Sequence, residues 1–237
     1  MNNVLYALDY LKTVFRSHAW HYAVTGHLQM MWLDCETEAH EHRQSTSTEF
    51  LEGPMMEIAV QEEAKDLLEF FKGDPRIRNH GYLGQRAYGM IRLAVDTGDE
   101  YPRELGPRVS VVVDLVPFNT SKLQIPRSLE NRVLYKRVSF PTKRGNKERR
   151  YAMMWLDDLF AFKLASYYQG RHGDKELNYL DLVSLMDMYP DDIRPFAQTF
   201  SREHVECDWR TATHWRYLNV KQFESEDTQK IDPLRNP

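Results

Sequence analysis

Two acids stand alone in apolar surroundings: Glu57 in the run Met55-Met56-Glu57-Ile58-Ala59-Val60, and Asp114 in Val111-Val112-Val113-Asp114-Leu115-Val116. Isolated carboxylates of this kind hold a divalent cation, bind a cationic substrate group or move protons. An unpaired carboxylate inside a buried strand is expensive. Asp114 therefore either lies at an exposed strand end, which the following Pro117 favours, or has a partner such as a metal, a cation or donor groups. The plain structural alternative is an Asp that caps the next turn. His27, directly after Gly26, adds a side chain that titrates near neutral pH and can serve as a general acid or base. Lys163 is the one charge in Leu159-Phe160-Ala161-Phe162-Lys163-Leu164-Ala165-Ser166-Tyr167-Tyr168, which makes it either a phosphate ligand or an edge residue with its head in water.

A second kind of chemistry is written in the charge distribution. Between Arg127 and Arg150 nine basic residues face two acids, Glu130 and Glu148. That is a local balance of +7 in a chain of net charge -4, so the remainder carries -11. Clustered Lys and Arg displace counterions from a phosphate backbone, and Lys136, Arg137, Lys143, Arg144, Lys147, Arg149 and Arg150 are the candidate contacts to tRNA or another phosphate-bearing ligand. The competing reading is a solvated hairpin whose turn, Lys143-Arg144-Gly145-Asn146-Lys147, is basic because it is exposed.

These residues must be positioned by a mixture of helices and strands. Leu5, Leu8, Leu11, Val14 and Phe15 recur at helical spacing, predicting an amphipathic helix from Val4 to His18. Trp20 to Thr25 reads as a short strand, stopped at Gly26 before a helical run from Leu28 to Leu33. Glu36 to Thr48 is polar and predicts a loop. The strand Met55 to Val60 precedes a helix from Glu62 to Phe71, ended by Gly73-Asp74-Pro75. Strands are predicted over Tyr88 to Val95 and Arg108 to Val116, with a loop from Gly98 to Pro107 between them. Asp157 or Asp158 can cap a helix from Leu159 to Gln169, and a further helix ends near Met188. The expected class is α/β (α+β), a mixed sheet flanked by helices. Its core spans 1–155, a helical C-terminal part packed on that core spans 156–224, and a polar tail spans 225–237.

Composition sets the outer bounds. A chain of 237 residues, 42% hydrophobic and 12% aromatic, can bury a sizeable core. No stretch reaches the roughly 18 consecutive apolar residues of a membrane span, and Met1-Asn2-Asn3-Val4 lacks the build of a signal peptide, so a cytoplasmic protein without membrane contact is expected. Cys35 and Cys207 lie outside any Cys-x-x-Cys pattern, and neither His40-Glu41-His42 nor the set His18, His21 and His27 forms a His-Glu-x-x-His motif. No metal is predicted for them.

The order of these parts resembles the nucleotidyltransferase superfamily, in its minimal, AbiEii-like branch, over roughly Val4 to Met188. That family carries Gly-Ser before a helix, Asp-x-Asp on a strand, a third acid on a later strand, a helix of the form Lys-Leu-x-Ala, and then Arg-x-x-x-Lys-Asp with a downstream Asp-Leu. The resemblance puts the glycine on Gly26 with His27 in place of serine, Asp-x-Asp on Glu57-Ile58-Ala59, the third acid on Asp114 and the helical lysine on Lys163. The last motif falls on Arg171, Lys175 and Glu176, with Asp181 downstream. Gly26, Lys163, Arg171 and Lys175 are thus the implied substrate-binding residues, and Glu57, Asp114 and His27 the implied catalytic ones. Three carboxylates ordinarily hold the two divalent ions of such a site, and Ala59 removes the one that would bridge them. One magnesium on Glu57 and Asp114 remains open for a nucleotidyltransferase; otherwise no cofactor is implied.

A compact chain on such a frame, with altered metal ligands and a basic stripe, also resembles the small fungal arginine-containing cyclodipeptide synthases, which consume aminoacyl-tRNA. That likeness implies arginyl-tRNA as one donor, a cyclic dipeptide as product, and Glu57 and Asp114 as partners for a guanidinium. Three functions follow in order: an aminoacyl-tRNA-dependent cyclodipeptide synthase, a magnesium-dependent nucleotidyltransferase, and a noncatalytic nucleotide- or RNA-binding protein.

Overall fold

The computed structural model describes residues 1–33, 55–82, 89–117, 126, 128–169, 175–193 and 195. Helix α1 (Asn2–Ser17) buries Val4, Leu5, Leu8, Leu11, Val14 and Phe15, the stripe its spacing predicts. Strand β1 (Tyr22–Thr25) passes into helix α2 (Gly26–Trp32) with no intervening loop. Gly26 makes that possible by taking φ +66, a left-handed conformation that side chains with a Cβ adopt at a cost. Strand β2 (Met55–Val60) and helix α3 (Ala64–Phe71) follow, the helix burying Leu67 and Phe71.

Strand β3 (Ile77–Tyr82) lies where no element is predicted. Its sequence, Ile-Arg-Asn-His-Gly-Tyr, lacks the apolar alternation of a half-buried strand, as suits an edge position. Strand β4 (Ile91–Val95) and strand β5 (Val111–Pro117) are interior, and all seven residues of β5 are buried. Strands β6 (Val133–Thr142) and β7 (Gly145–Met154), ten residues each, form a hairpin. Its turn is Lys143-Arg144, closed by the Thr142–Gly145 pair with Gly145 at φ +104.

The seven strands form one sheet in the order β3-β4-β5-β2-β1-β7-β6. The β2–β5 and β1–β7 pairs are parallel and the others antiparallel, so the sheet is mixed and helices flank it, as the α/β (α+β) expectation requires. Parallel neighbours must be joined by crossovers, which is why β1 and β2 occupy the middle of the sheet although they come first in the chain.

Helix α4 (Leu156–Gln169) starts before the predicted cap. Asp157 and Asp158 lie in its first turn rather than ahead of it, and both accept hydrogen bonds from Arg132, at 2.8 and 2.9 Å. Residues Leu159 through Ser166 are all buried, so α4 is covered on every side. Together with the beginning of helix α5 (Lys175–Met188) it belongs to the compact unit Met1–Ser184, which continues past the boundary expected at residue 155. Leu185–Pro237 forms a second unit. Among the described residues no helix is long and apolar enough to cross a membrane. The predicted loop at Glu36–Thr48, both cysteines, His40, His42 and the tail 225–237 lie outside the described residues.

Candidate functional site

Register brings the two acids together. Glu57 of β2 pairs with Asp114 of β5 in the parallel ladder, so the two side chains leave adjacent strands on one face of the sheet, with backbones about 4.8 Å apart. Asp114 is the fourth residue of the seven in β5 and fully buried, which removes the strand-end and turn-cap readings. Its partner is a cation of the chain itself. Arg92 of β4 is registered opposite Asp114 and donates two hydrogen bonds, Nε to Oδ1 and Nη2 to Oδ2, each at 2.8 Å. This planar, bidentate geometry is the strongest form of guanidinium–carboxylate pair. The Asp114 hydrogen bond, and beyond it the charges of Asp114 and Glu57, raise the Arg92 pKa above its ordinary value against the opposing effect of burial.

On the other side of Glu57 the same row continues to Thr25, the last residue of β1. Immediately beyond it, Gly26 serves as more than a turn residue. A Cβ at position 26 would overlap the Glu57 Oε2 oxygen and lie 2.7 Å from its Cδ, so the Glu57 carboxylate occupies the space that a side chain would need. The family resemblance implies a substrate-binding role for Gly26; in the structure Gly26 makes room for an acid. His27, half-buried in the first turn of α2, is the next residue. Gln29, one turn into α2, is buried and donates from Nε2 to the Met154 carbonyl at 2.5 Å, tying α2 to the end of β7.

Ala59 lies two residues along β2 from Glu57, and therefore on the same face. It is fully buried between Ala23 of β1 and Val116 of β5, both also inaccessible to solvent. The position at which the resemblance would call for a bridging carboxylate is thus an apolar floor. A two-ion metal site does not fit this donor set: Ala59 supplies no ligand, and both Asp114 oxygens already accept from Arg92. Among the described residues no group of three or more His, Cys, Asp or Glu side chains gathers as a metal site.

Lys163 is neither an edge residue nor solvent-facing. It is buried in α4 and forms an ion pair with Asp181 of α5, itself fully buried. Two residues that the family resemblance places in separate motifs are therefore one contact, and it spans two helices. Lys175 opens α5, and Arg171 lies outside the described residues.

The basic stripe divides into committed and outward-facing members. Lys147 and Arg149 both bind Asp9 of α1, at 2.7 and 3.0 Å. Lys136 donates to the Trp32 carbonyl at 2.7 Å and Lys143 to the Asp99 carbonyl at 2.8 Å. These four hold the hairpin to the rest of the fold. Arg137, Arg144 and Arg150 remain exposed, and Arg150 stacks its guanidinium 3.7 Å from the centre of the Tyr135 ring.

Sequence reasoning missed Arg92 and Tyr135. A signal for Arg92 existed: it is a lone cation in Met90-Ile91-Arg92-Leu93-Ala94-Val95, as Asp114 is a lone anion in its own run, and two buried strands with one opposite charge each are natural partners. Tyr135 carries no comparable mark. Comparison with protein-family models, with curated proteins and with solved structures finds no match to this chain, so its site is read from the geometry of Glu57, Asp114, Arg92 and Gly26.

Proposed function

We propose that the chain is a biosynthetic enzyme on a nucleotidyltransferase-like frame whose altered site takes an aminoacyl-tRNA, arginyl-tRNA being the expected donor, and forms a cyclic dipeptide. The observation that carries this reading is the Arg92 guanidinium clamped on Asp114. A built-in cation stands beside the acid where a metal-dependent transferase would keep a ligand, and Ala59 replaces the bridging acid. Chemistry that needs no metal pair is favoured by that arrangement.

Cyclic dipeptide formation meets this requirement. The amine of one aminoacyl group attacks the ester carbonyl of the other, forming an amide and releasing a tRNA 3′ hydroxyl; the new terminal amine then attacks its own ester, closing the ring and releasing the second tRNA. Two esters are exchanged for two amides without a nucleotide triphosphate. The chain must orient the amine, accept its proton and return a proton to the leaving hydroxyl. Glu57 is the carboxylate proposed for binding or deprotonating the amine, and His27 is the second proton-transfer candidate. Asp114, engaged by Arg92, is proposed as a positioning residue rather than as a contact to the substrate guanidinium.

Nucleotidyl transfer is the competing reading, favoured by the adjacency of Glu57 and Asp114 in the ladder. The deciding experiment incubates the purified chain with arginyl-tRNA and a pool of other aminoacyl-tRNAs and analyses the products by mass spectrometry. An arginine-containing cyclic dipeptide, lost on ribonuclease treatment and with Glu57→Gln, supports the proposal. Magnesium-dependent incorporation of labelled nucleotide instead establishes the transferase reading. RNA binding with neither product leaves a noncatalytic binding protein.

A further inference from the structure

The outward face of the β6–β7 hairpin is not a uniform basic surface. Residues paired across the hairpin share a face, and so do alternate residues along each strand. The pairs Val133–Met154, Tyr135–Ala152, Arg137–Arg150 and Ser139–Glu148 therefore form one face. The pairs Leu134–Met153, Lys136–Tyr151, Val138–Arg149 and Phe140–Lys147 form the other, which carries the cations committed to Asp9 and Trp32. On the first face Tyr135 is 53% exposed despite the Arg150 guanidinium lying 3.7 Å from the centre of its ring. Arg137, opposite Arg150, is 78% exposed and meets only the outer edge of ion-pair range with Glu148, at 4.0 Å.

We infer that Tyr135 and Arg150 form a stacking platform for a base in the single-stranded 3′ end of an RNA, with Arg137 beside it for a backbone phosphate. Three observations carry this. An arginine laid flat on an exposed aromatic ring presents a planar cation, and bases stack both on aromatic side chains and on guanidinium planes. The neighbouring charge is of the sign a phosphate requires, on a hairpin where Lys136, Lys143, Lys147 and Arg149 are already engaged elsewhere. The third is location. Met154 lies beside Thr25, whose hydroxyl donates to its sulfur at 3.7 Å, and Val24 pairs with Met153, so the face bearing Tyr135 is the face bearing Glu57.

Tyr135 stands three strands from Glu57 and two residues along. With strands about 4.8 Å apart and about 3.3 Å per residue, the two backbones are separated by about 16 Å across the sheet. An extended single strand covers that span in two to three nucleotides, taken at about 6 Å each. Ala152, Met154 and Thr25 lie buried between them, so this span is the least the strand must cover in passing over that face, and a base held on Tyr135 would leave the terminal, esterified nucleotide on the Glu57 side of the sheet. The inference rests on the aminoacyl-tRNA reading above and adds to it the element that grips the RNA near its reactive end.

The test measures binding of the full chain to a fluorescent uncharged tRNA and to the same tRNA shortened by four nucleotides at its 3′ end. Tyr135→Ala and Arg150→Ala are expected to bind the intact tRNA about tenfold more weakly, the range for loss of one stacked base, and to bind the shortened tRNA as the parent does. Tyr135→Phe keeps the ring and is expected to bind normally; Arg150→Lys keeps the charge but not the plane and is expected to resemble Arg150→Ala. Thermal unfolding of each variant checks that the exposed substitutions leave the fold unchanged. Equal binding by Tyr135→Ala and the parent, an equal loss on both RNAs, or full rescue by Arg150→Lys overturns the platform. If cyclic dipeptide forms while those substitutions change nothing, the platform alone is wrong. If the chain neither binds tRNA nor makes product, the aminoacyl-tRNA reading fails and takes the platform with it.

Discussion

Replacing Gly26 with alanine introduces a single methyl group at the point where strand, helix and acid converge. Two costs follow. The residue sits at φ +66, and a left-handed conformation costs an L-residue about 1–2 kcal/mol. Its Cβ would also overlap Glu57 Oε2 and stand 2.7 Å from Cδ, forcing the carboxylate out of its place. Moving a buried side chain off its rotamer and loosening its polar contacts adds on the order of 1–2 kcal/mol. The total, about 3 kcal/mol, corresponds to a fall in Tm of roughly 6–12 °C for a unit of this size.

The two costs separate in a Glu57→Ala background. That substitution removes Oε2 and Cδ and leaves only the Cβ of residue 57, 3.2 Å from the introduced methyl. There Gly26→Ala should cost only the backbone term, about 1–2 kcal/mol, and the difference between backgrounds measures the packing of the carboxylate on the glycine. Urea unfolding of the four proteins supplies the numbers. A Gly26→Ala penalty equal in both backgrounds would refute the claim that Gly26 exists to admit Glu57, and no penalty in either would refute the left-handed turn as well.

Two further predictions address the ionic parts of the fold. Arg92→Met should destabilise by about 3–5 kcal/mol, because it leaves the Asp114 carboxylate buried without its guanidinium, whereas Arg92→Met with Asp114→Leu should recover much of that loss; chemical unfolding checks both, and an unchanged midpoint for the single variant would show the pair to be idle. Asp96 accepts from the Gly98 amide at 2.7 Å and from Arg108 at 2.5 Å. Burial pushes its carboxyl up, but these bonds outweigh that effect and hold it below the ordinary 3.8. A depressed acid contributes stability above its unfolded-state value that is lost as pH falls through the lower folded value. Asp96→Asn should therefore be less stable than the parent at neutral pH, with the gap closing below about pH 4; a gap independent of pH between 2 and 7 would contradict the assignment.

The parts of this protein that depend on near neighbours in the chain were legible before any coordinates. The apolar stripe of α1, the boundaries of β2, the buried run of β5 and the turn of the β6–β7 hairpin follow from spacing of two or 3.6 residues and from glycine placement. β3 was not legible, because an edge strand can be held by backbone hydrogen bonds with little apolar alternation. The basic stripe was legible as charge, and strand periodicity even separates Lys136 from Arg137, but nothing nearby tells that Lys147 and Arg149 are taken by Asp9, more than 130 positions away.

The site shows the same division. Sequence by itself determined that Glu57 and Asp114 are isolated acids in apolar strands, that Ala59 cannot ligate a metal, and that a glycine ends the strand at Thr25. Only the tertiary structure decided that β2 and β5 run parallel in a register that puts Glu57 beside Asp114, that Arg92 neutralises Asp114 from β4, and that Gly26 yields its side-chain space to Glu57. Helix and strand periodicities are set by local sterics, whereas strand order and register are set by which distant segments bury one another. A one-residue slip would turn Glu57 to the opposite face and dissolve the row.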